Sequence, residues 1–108
     1  MYITDTKRRV QMRHHIIVKW NSSVTDKAAL LAEVEELFGK TTSIPGIHKV
    51  EMIPNIIDRP NRYDLMIAIT MEESALPVYD ESVYHKEWKE KYGKYLETKA
   101  IFDSADFA

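Results

Sequence analysis

Four histidines, His14, His15, His48 and His85, carry the acid–base chemistry available near neutral pH. His14 and His85 are the strongest candidates. His14 lies in Arg13-His14-His15-Ile16-Ile17-Val18-Lys19-Trp20, a short β-branched run that reads as a strand. Its even set, His14, Ile16, Val18 and Trp20, is the more apolar and is expected to face the core. His85 opens a stripe at helical spacing that continues through Trp88, Tyr92 and Leu96, with Tyr84 and Tyr95 extending it on one side. His15 points to the opposite face of its strand from His14, so the two cannot share a ligand. A metal would need two or three converging ligands. His14, His85 and Asp64 or Glu72 form the one set that could converge, and nothing in the spacing compels it, so no metal is expected. The alternative reading of both histidines is structural: hydrogen-bonded core residues bridging strand and helix. The aromatic stripe likewise packs a core before it lines a pocket.

Other chemistries are excluded by residue type. With no cysteine, there are no disulfides, thiolate metal sites or cysteine nucleophiles. Three scattered glycines, Gly39, Gly46 and Gly93, cannot build a phosphate-cradling loop. Ser22, Ser23 and Ser82 stand in no nucleophile-elbow motif.

The elements that must position the histidines follow from periodicity. After the first strand, Asn21-Ser22-Ser23 reads as a loop, and Ser23 with Asp26 is a possible N-cap signal. Lys27 to Phe38 has helical period, with Leu30, Leu31, Val34, Leu37 and Phe38 on one stripe and Gly39 placed to end it. Ser43 to Ile47 reads as a turn into a second strand, about 47–53. Residues 55–62 hold two prolines and read as a loop. Residues 63–71 alternate as a third strand with Tyr63, Leu65, Ile67, Ile69 and Met71 on one face. A short helical turn over 73–82, broken at Pro77, precedes a long helix over 83–99 and a last strand at 100–103. The order β-α-β-β-α-β predicts an α+β, ferredoxin-like fold with an antiparallel four-stranded sheet. Ile17, Met66 and Ala68 leave the second sheet face semi-apolar, which predicts a homodimer packed sheet on sheet.

The chain has 108 residues, 44% hydrophobic and 30% charged, enough for one domain with a modest core. We read residues 1–11 as an N-terminal extension and 12–108 as a single domain. Fifteen basic and 17 acidic residues give a net charge of −2, so nothing global favours nucleic acid or an anionic membrane. Five basic residues and no acid lie between Thr6 and Thr25, a spread more typical of a solvated edge than of a nucleic-acid arm. There is no apolar run of membrane-spanning or secretory length, and the expectation is a cytoplasmic protein.

Several segments in order resemble the Dabb family, the stress-responsive dimeric α+β barrel domains. They are RHHIIVKW at 13–20, IPGI at 44–47, RYDLMIAITME at 62–72, Tyr79 followed by His85, and AIFD at 100–103. The resemblance runs from about Met12 to Asp103 and implies a dimeric α+β barrel of ferredoxin-like protomers. One plant branch of the family is a polyketide cyclase that closes an aromatic ring by aldol-type condensation. By position, His14 corresponds to that branch's strand-one His, His85 to the His preceding its last helix, and Tyr79 to its pocket Tyr. The family's His-Pro-x-His corner reads Ser82-Val83-Tyr84-His85 here, and two further cyclase positions, a His and a Tyr, are Leu65 and Leu37. The cyclase constellation is therefore half present.

The resemblance implies His85 as a base removing a proton beside a carbonyl. It implies Tyr79 as its orienting partner or hydrogen-bond donor, and His14 as an oxyanion donor. It implies a ligand pocket between helices and sheet, lined by Ile16, Val18, Leu65, Ile67 and Ile69 from strands and Trp88, Tyr92, Leu96 and Ile101 beyond them. The leading expectation is a Dabb-type protein binding a small, partly aromatic or acyl compound, with no cofactor. The alternatives are a lyase or cyclase using His85 and a non-catalytic structural dimer. The same plan also hosts oxygenases and haem-degrading enzymes, but no proximal haem ligand stands out beyond His85.

Overall fold

The structure is a computed structural model that describes residues 10–105. Most of the expected N-terminal extension lies outside the described residues. Four strands, β1 (Gln11–Trp20), β2 (Ile47–Pro54), β3 (Leu65–Glu72) and β4 (Leu96–Ala105), form one sheet in the order β2-β3-β1-β4, every neighbour antiparallel. Helices α1 (Lys27–Gly39), α2 (Leu76–Asp80) and α3 (Val83–Glu87) complete the β-α-β-β-α-β plan. The ferredoxin-like, antiparallel architecture expected from the element order is present.

β1 alternates as its sequence does. Met12, His14, Ile16, Val18 and Trp20 are buried, and the residues between them are not. β3 contributes Leu65, Ile67, Ile69 and Met71 to the same layer. From the helical side come Leu30, Val34, Leu37 and Phe38 of α1, then Trp88 and Tyr92. Trp88 stands edge-on to Trp20 at 6.5 Å and to Phe38 at 5.2 Å, and tilts against Tyr92 at 5.7 Å. Such edge-to-face pairs add to the area they bury.

Several boundaries differ from the sequence reading, each for a local reason. The cap of α1 is Asp26, whose carboxylate accepts from the Ala29 N–H at 3.0 Å. Ser23 instead folds back onto the Asn21 side chain. Gly39 keeps helical dihedrals, and the chain tightens into a 3-10 turn over Lys40–Ser43, where the buried Thr41 hydroxyl donates to the Phe38 carbonyl. The glycine with an obligatory conformation is Gly46, at φ 93° in the turn into β2. Pro77 starts a helix rather than breaking one, because a first-turn residue needs no N–H donor.

The largest correction concerns the expected long helix over 83–99. α3 ends at Glu87, a π turn spans Trp88–Tyr92, a 3-10 turn spans Gly93–Tyr95, and β4 begins at Leu96. The pairing of Leu96 with Trp20 and of Thr98 and Lys99 with Lys19 and Val18 supplies the hydrogen bonds that four more helical residues would have made. Sheet pairing thus overrides a helical pattern already weakened by Gly93 in its interior. The strand start of β3 also moves, from Tyr63 to Leu65. Asp64 serves as a connector: its carboxylate accepts from the Trp20 N–H and from Lys27, each at 2.8 Å. The strong Lys27 hydrogen bond, ahead of the opposing effect of burial, holds that ammonium above its ordinary value.

The register fixes what lies on the open sheet face. One cross-strand row is Ile53, Met66, Ile17 and Ala100, and the next is Glu51, Ala68, His15 and Phe102. Ile53 is 45% and Phe102 61% exposed. No helix among the described residues is long and apolar enough to cross a membrane.

Candidate functional site

His14 and Asp103 face each other across β1 and β4 on the helical side of the sheet. Cross-strand partners lie close enough for side chains to meet, and His14 Nδ1 donates to Asp103 Oδ1 at 2.6 Å. The His14 side chain is buried, whereas Asp103 sits at the rim with 43% of its side chain exposed. With Nδ1 held by the carboxylate, Nε2 is the atom of His14 left for a ligand: an acceptor in the neutral ring, a donor in the protonated one.

α2 brings the Tyr79 ring against this imidazole, and α3 brings the His85 ring against Tyr79 as well, both at a tilt. The ring centroids are 5.5 Å apart for His14–Tyr79 and 5.0 Å for Tyr79–His85. The two short helices meet at Ser82, which makes the corner. Its hydroxyl donates to the Tyr79 carbonyl at 2.7 Å and receives the His85 N–H at 3.2 Å, capping α3. His85 Nδ1 donates to the Asp80 carbonyl at 2.9 Å, so its Nε2 is also the free ring atom. Both imidazoles are therefore oriented through Nδ1, one by a carboxylate and one by backbone.

Tyr79 is 1% exposed, and its hydroxyl finds no hydrogen-bond partner among the described residues. A buried hydroxyl without a partner costs about 1–3 kcal/mol, so folds seldom retain one without a use. Burial pushes its phenol far above the ordinary value, with the Asp80 carboxylate adding to the effect. Tyr79 is thus a neutral donor at physiological pH.

The three sequence candidates, His14, Tyr79 and His85, are brought together in one stack. Asp103 completes it and escaped sequence reasoning. Its position at the end of the last strand was legible, but the register that sets it opposite His14 was not. His15 and His48 lie apart from the stack. His15 Nδ1 donates to the Phe102 carbonyl on the other sheet face, and His48, at the register shift in β2, stands 3.4 Å from Glu72. No group of three or more metal-ligating side chains occurs among the described residues.

The expected pocket-lining residues are distributed differently. Ile16, Val18, Leu65, Ile67, Ile69, Trp88 and Tyr92 are at most 3% exposed and fill the layer between helices and sheet. Leu65 also lines a surface cleft of about 390 Å³ at the far end of β1. Leu96 packs partly buried against the core, and Ile101, opposite Ile16 on the edge strand, is 49% exposed.

No protein-family model matches the chain, and no curated protein does. Solved structures match across nearly its whole length. A dimeric ferredoxin-like protein of unknown function from Thermobifida fusca superposes with a TM-score of 0.77 at 16% identity, covering 98% of this chain and 100% of its own. The hydroxynitrile lyase of Passiflora edulis has a TM-score of 0.71 at 13% identity, covering 89% of this chain and 93% of its own. A Dabb family protein with a ferredoxin-like fold from Mesorhizobium loti gives 0.62 at 12%, covering 92% and 99%. The class defined by the fold is therefore the ferredoxin-like α+β protomer, and a Dabb family protein is among the structures that share it.

Proposed function

We propose that this chain is a Dabb-type small-molecule protein whose His14–Tyr79–His85 stack performs general acid–base chemistry on a partly apolar carbonyl compound. The observation that carries this reading is Tyr79, whose ring contacts two imidazoles that are each tethered through Nδ1 and whose buried hydroxyl has no partner among the described residues. His85 Nε2 takes a proton from the carbon beside the carbonyl. The electron pair moves to the carbonyl oxygen, and the Tyr79 O–H donates to it, with His14 as the second donor. Asp103 positions His14 and receives its Nδ1–H. No cofactor enters this scheme. The hydroxynitrile lyase among the structures of the same fold supports a lyase-type reaction on such a scaffold, by analogy of fold alone.

The working form we propose is a homodimer through the open sheet face, in line with a structural neighbour described as dimeric. The complete lack of cysteine fits the reducing cytoplasm. A stress-associated role is what the family resemblance adds. A second reading, a non-catalytic structural dimer, is favoured by the closely packed layer around Trp88 and Tyr92.

The two are separated by hydrogen–deuterium exchange. A panel of aryl ketones and acyl compounds is screened for those that raise the melting temperature. Loss of the proton beside the carbonyl is then followed by NMR in D₂O for the wild type, His85→Gln and Tyr79→Phe. The proposal expects catalysed exchange that falls about 100-fold in His85→Gln at an unchanged melting temperature. Equal exchange in wild type and His85→Gln would leave the structural dimer as the function.

A further inference from the structure

We propose that the cleft at the far end of β1 is a second ligand site, one that takes a carboxylate with an apolar body. It lies six residues along β1 from His14, about 20 Å away at strand rise, and shares no residue with the histidine stack. Its volume of about 390 Å³ falls in the range of small-molecule sites.

The cleft has two unlike walls. One is apolar, lined by Trp20, Leu31 and Leu65 with Ile56 and Ile57 of the β2–β3 loop, and meets Lys27, Asp58 and Asp64 at its charged border. Ile56 is 91% and Ile57 42% exposed, so both present aliphatic surface to solvent. They are held there by the loop. Asn55 donates through Nδ2 to the Tyr63 carbonyl, accepts the Ile57 N–H and pairs its own N–H with the Asp64 carbonyl, each bond 2.8–2.9 Å. Two isoleucines pinned outward beside a cleft are apolar surface the protein itself leaves uncovered.

The other wall is basic. A contiguous recess of about 230 Å³ carries Lys19, Arg59 and Arg62 against Asp58, together with the Lys27–Asp64 pair. Asp64 is fully committed to Lys27 and the Trp20 N–H, so it adds no free negative charge. Lys19 donates to the Pro60 carbonyl, and Arg62 donates to the Asn61 side chain. The Arg59 guanidinium makes no side-chain hydrogen bond or ion pair with a described residue. A planar cation with no side-chain partner among the described residues, next to a hydrophobic slot, is the donor set that fits a carboxylate bidentately while the slot takes the hydrocarbon.

The test is a calorimetric titration of the full chain with octanoate and with octanamide, its neutral isostere, repeated on Arg59→Gln/Arg62→Gln. Backbone amide shifts are mapped in parallel. Both arginines lie in a surface loop, so a folded variant is expected, and circular dichroism checks it. The expected result is saturable octanoate binding that weakens about tenfold or more in the double variant and for the amide. The shifts should centre on Lys27, Leu31 and 55–59. Equal binding of acid and amide, absence of saturable binding, or shifts centred on Tyr79 and His85 would each overturn it. None of these outcomes depends on whether the histidine stack is catalytic.

Discussion

Tyr79 is where a single atom carries the functional argument. Its ring contacts both His14 and His85, and its hydroxyl is buried with no partner among the described residues, at a cost to folding. Tyr79→Phe is therefore expected to keep or raise stability at neutral pH, by on the order of 1 kcal/mol, while removing the donor from the stack. A urea unfolding curve checks this, and a clear loss of stability would show that the hydroxyl has a partner after all. The alkaline limb adds a second reading of the same residue. The folded phenol holds its proton above its ordinary value of 10, whereas the unfolded chain releases it near 10. The contribution of Tyr79 is therefore complete below pH 10 and is lost as the pH climbs beyond it. Compared at pH 8 and above pH 10, Tyr79→Phe should lose less stability than the wild type.

Among the elements, the turn into β2 has the least freedom. Gly46 adopts φ 93°, and a Cβ there would stand 3.0 Å from the Ala75 Cβ, itself buried at 3%. Its carbonyl also accepts the Glu72 N–H at 2.8 Å, tying β2 to the end of β3. Gly46→Ala must strain the backbone and push on Ala75 together, at a cost of roughly 1–3 kcal/mol. The denaturation midpoint should fall accordingly, and an unchanged midpoint would mean that the turn relaxes. The segment after α3 shows the opposite case, an element remade by its neighbours. Trp88 and Tyr92 reach the core from a π turn, and Leu96 already belongs to β4.

For the whole molecule, the open sheet face sets the expected assembly. The row Ile53, Met66, Ile17 and Ala100 crosses all four strands, and Phe102 extends the apolar surface beside it. Covering this face with a second copy predicts a species of twice 12.6 kDa in sedimentation at micromolar concentration. Ile17→Lys, placed in the middle of the row, should halve that mass while leaving the circular dichroism spectrum unchanged. A wild-type chain that sediments at 12.6 kDa sinks the dimer.

Periodicity and residue type were enough to determine the fold class, α1 and the centres of β1, β2 and β3, because their apolar faces must be buried together, whereas β4 was expected only over 100–103 and runs over Leu96–Ala105. They also marked His14 and His85, since β1 alternation places one on the core face and the corner before the aromatic stripe exposes the other. What they did not determine are features set by partners distant in sequence. The long helix expected over 83–99 was cut short because β1 pairs with residues 96–99, and helical spacing carries no trace of that competition. Asp103 gained its role from a register connecting residues 89 positions apart, and a one-residue slip would have turned it to the other face. The Tyr79 hydroxyl, without a partner among the described residues, and the two-walled cleft likewise exist only once helices, strands and loop are packed.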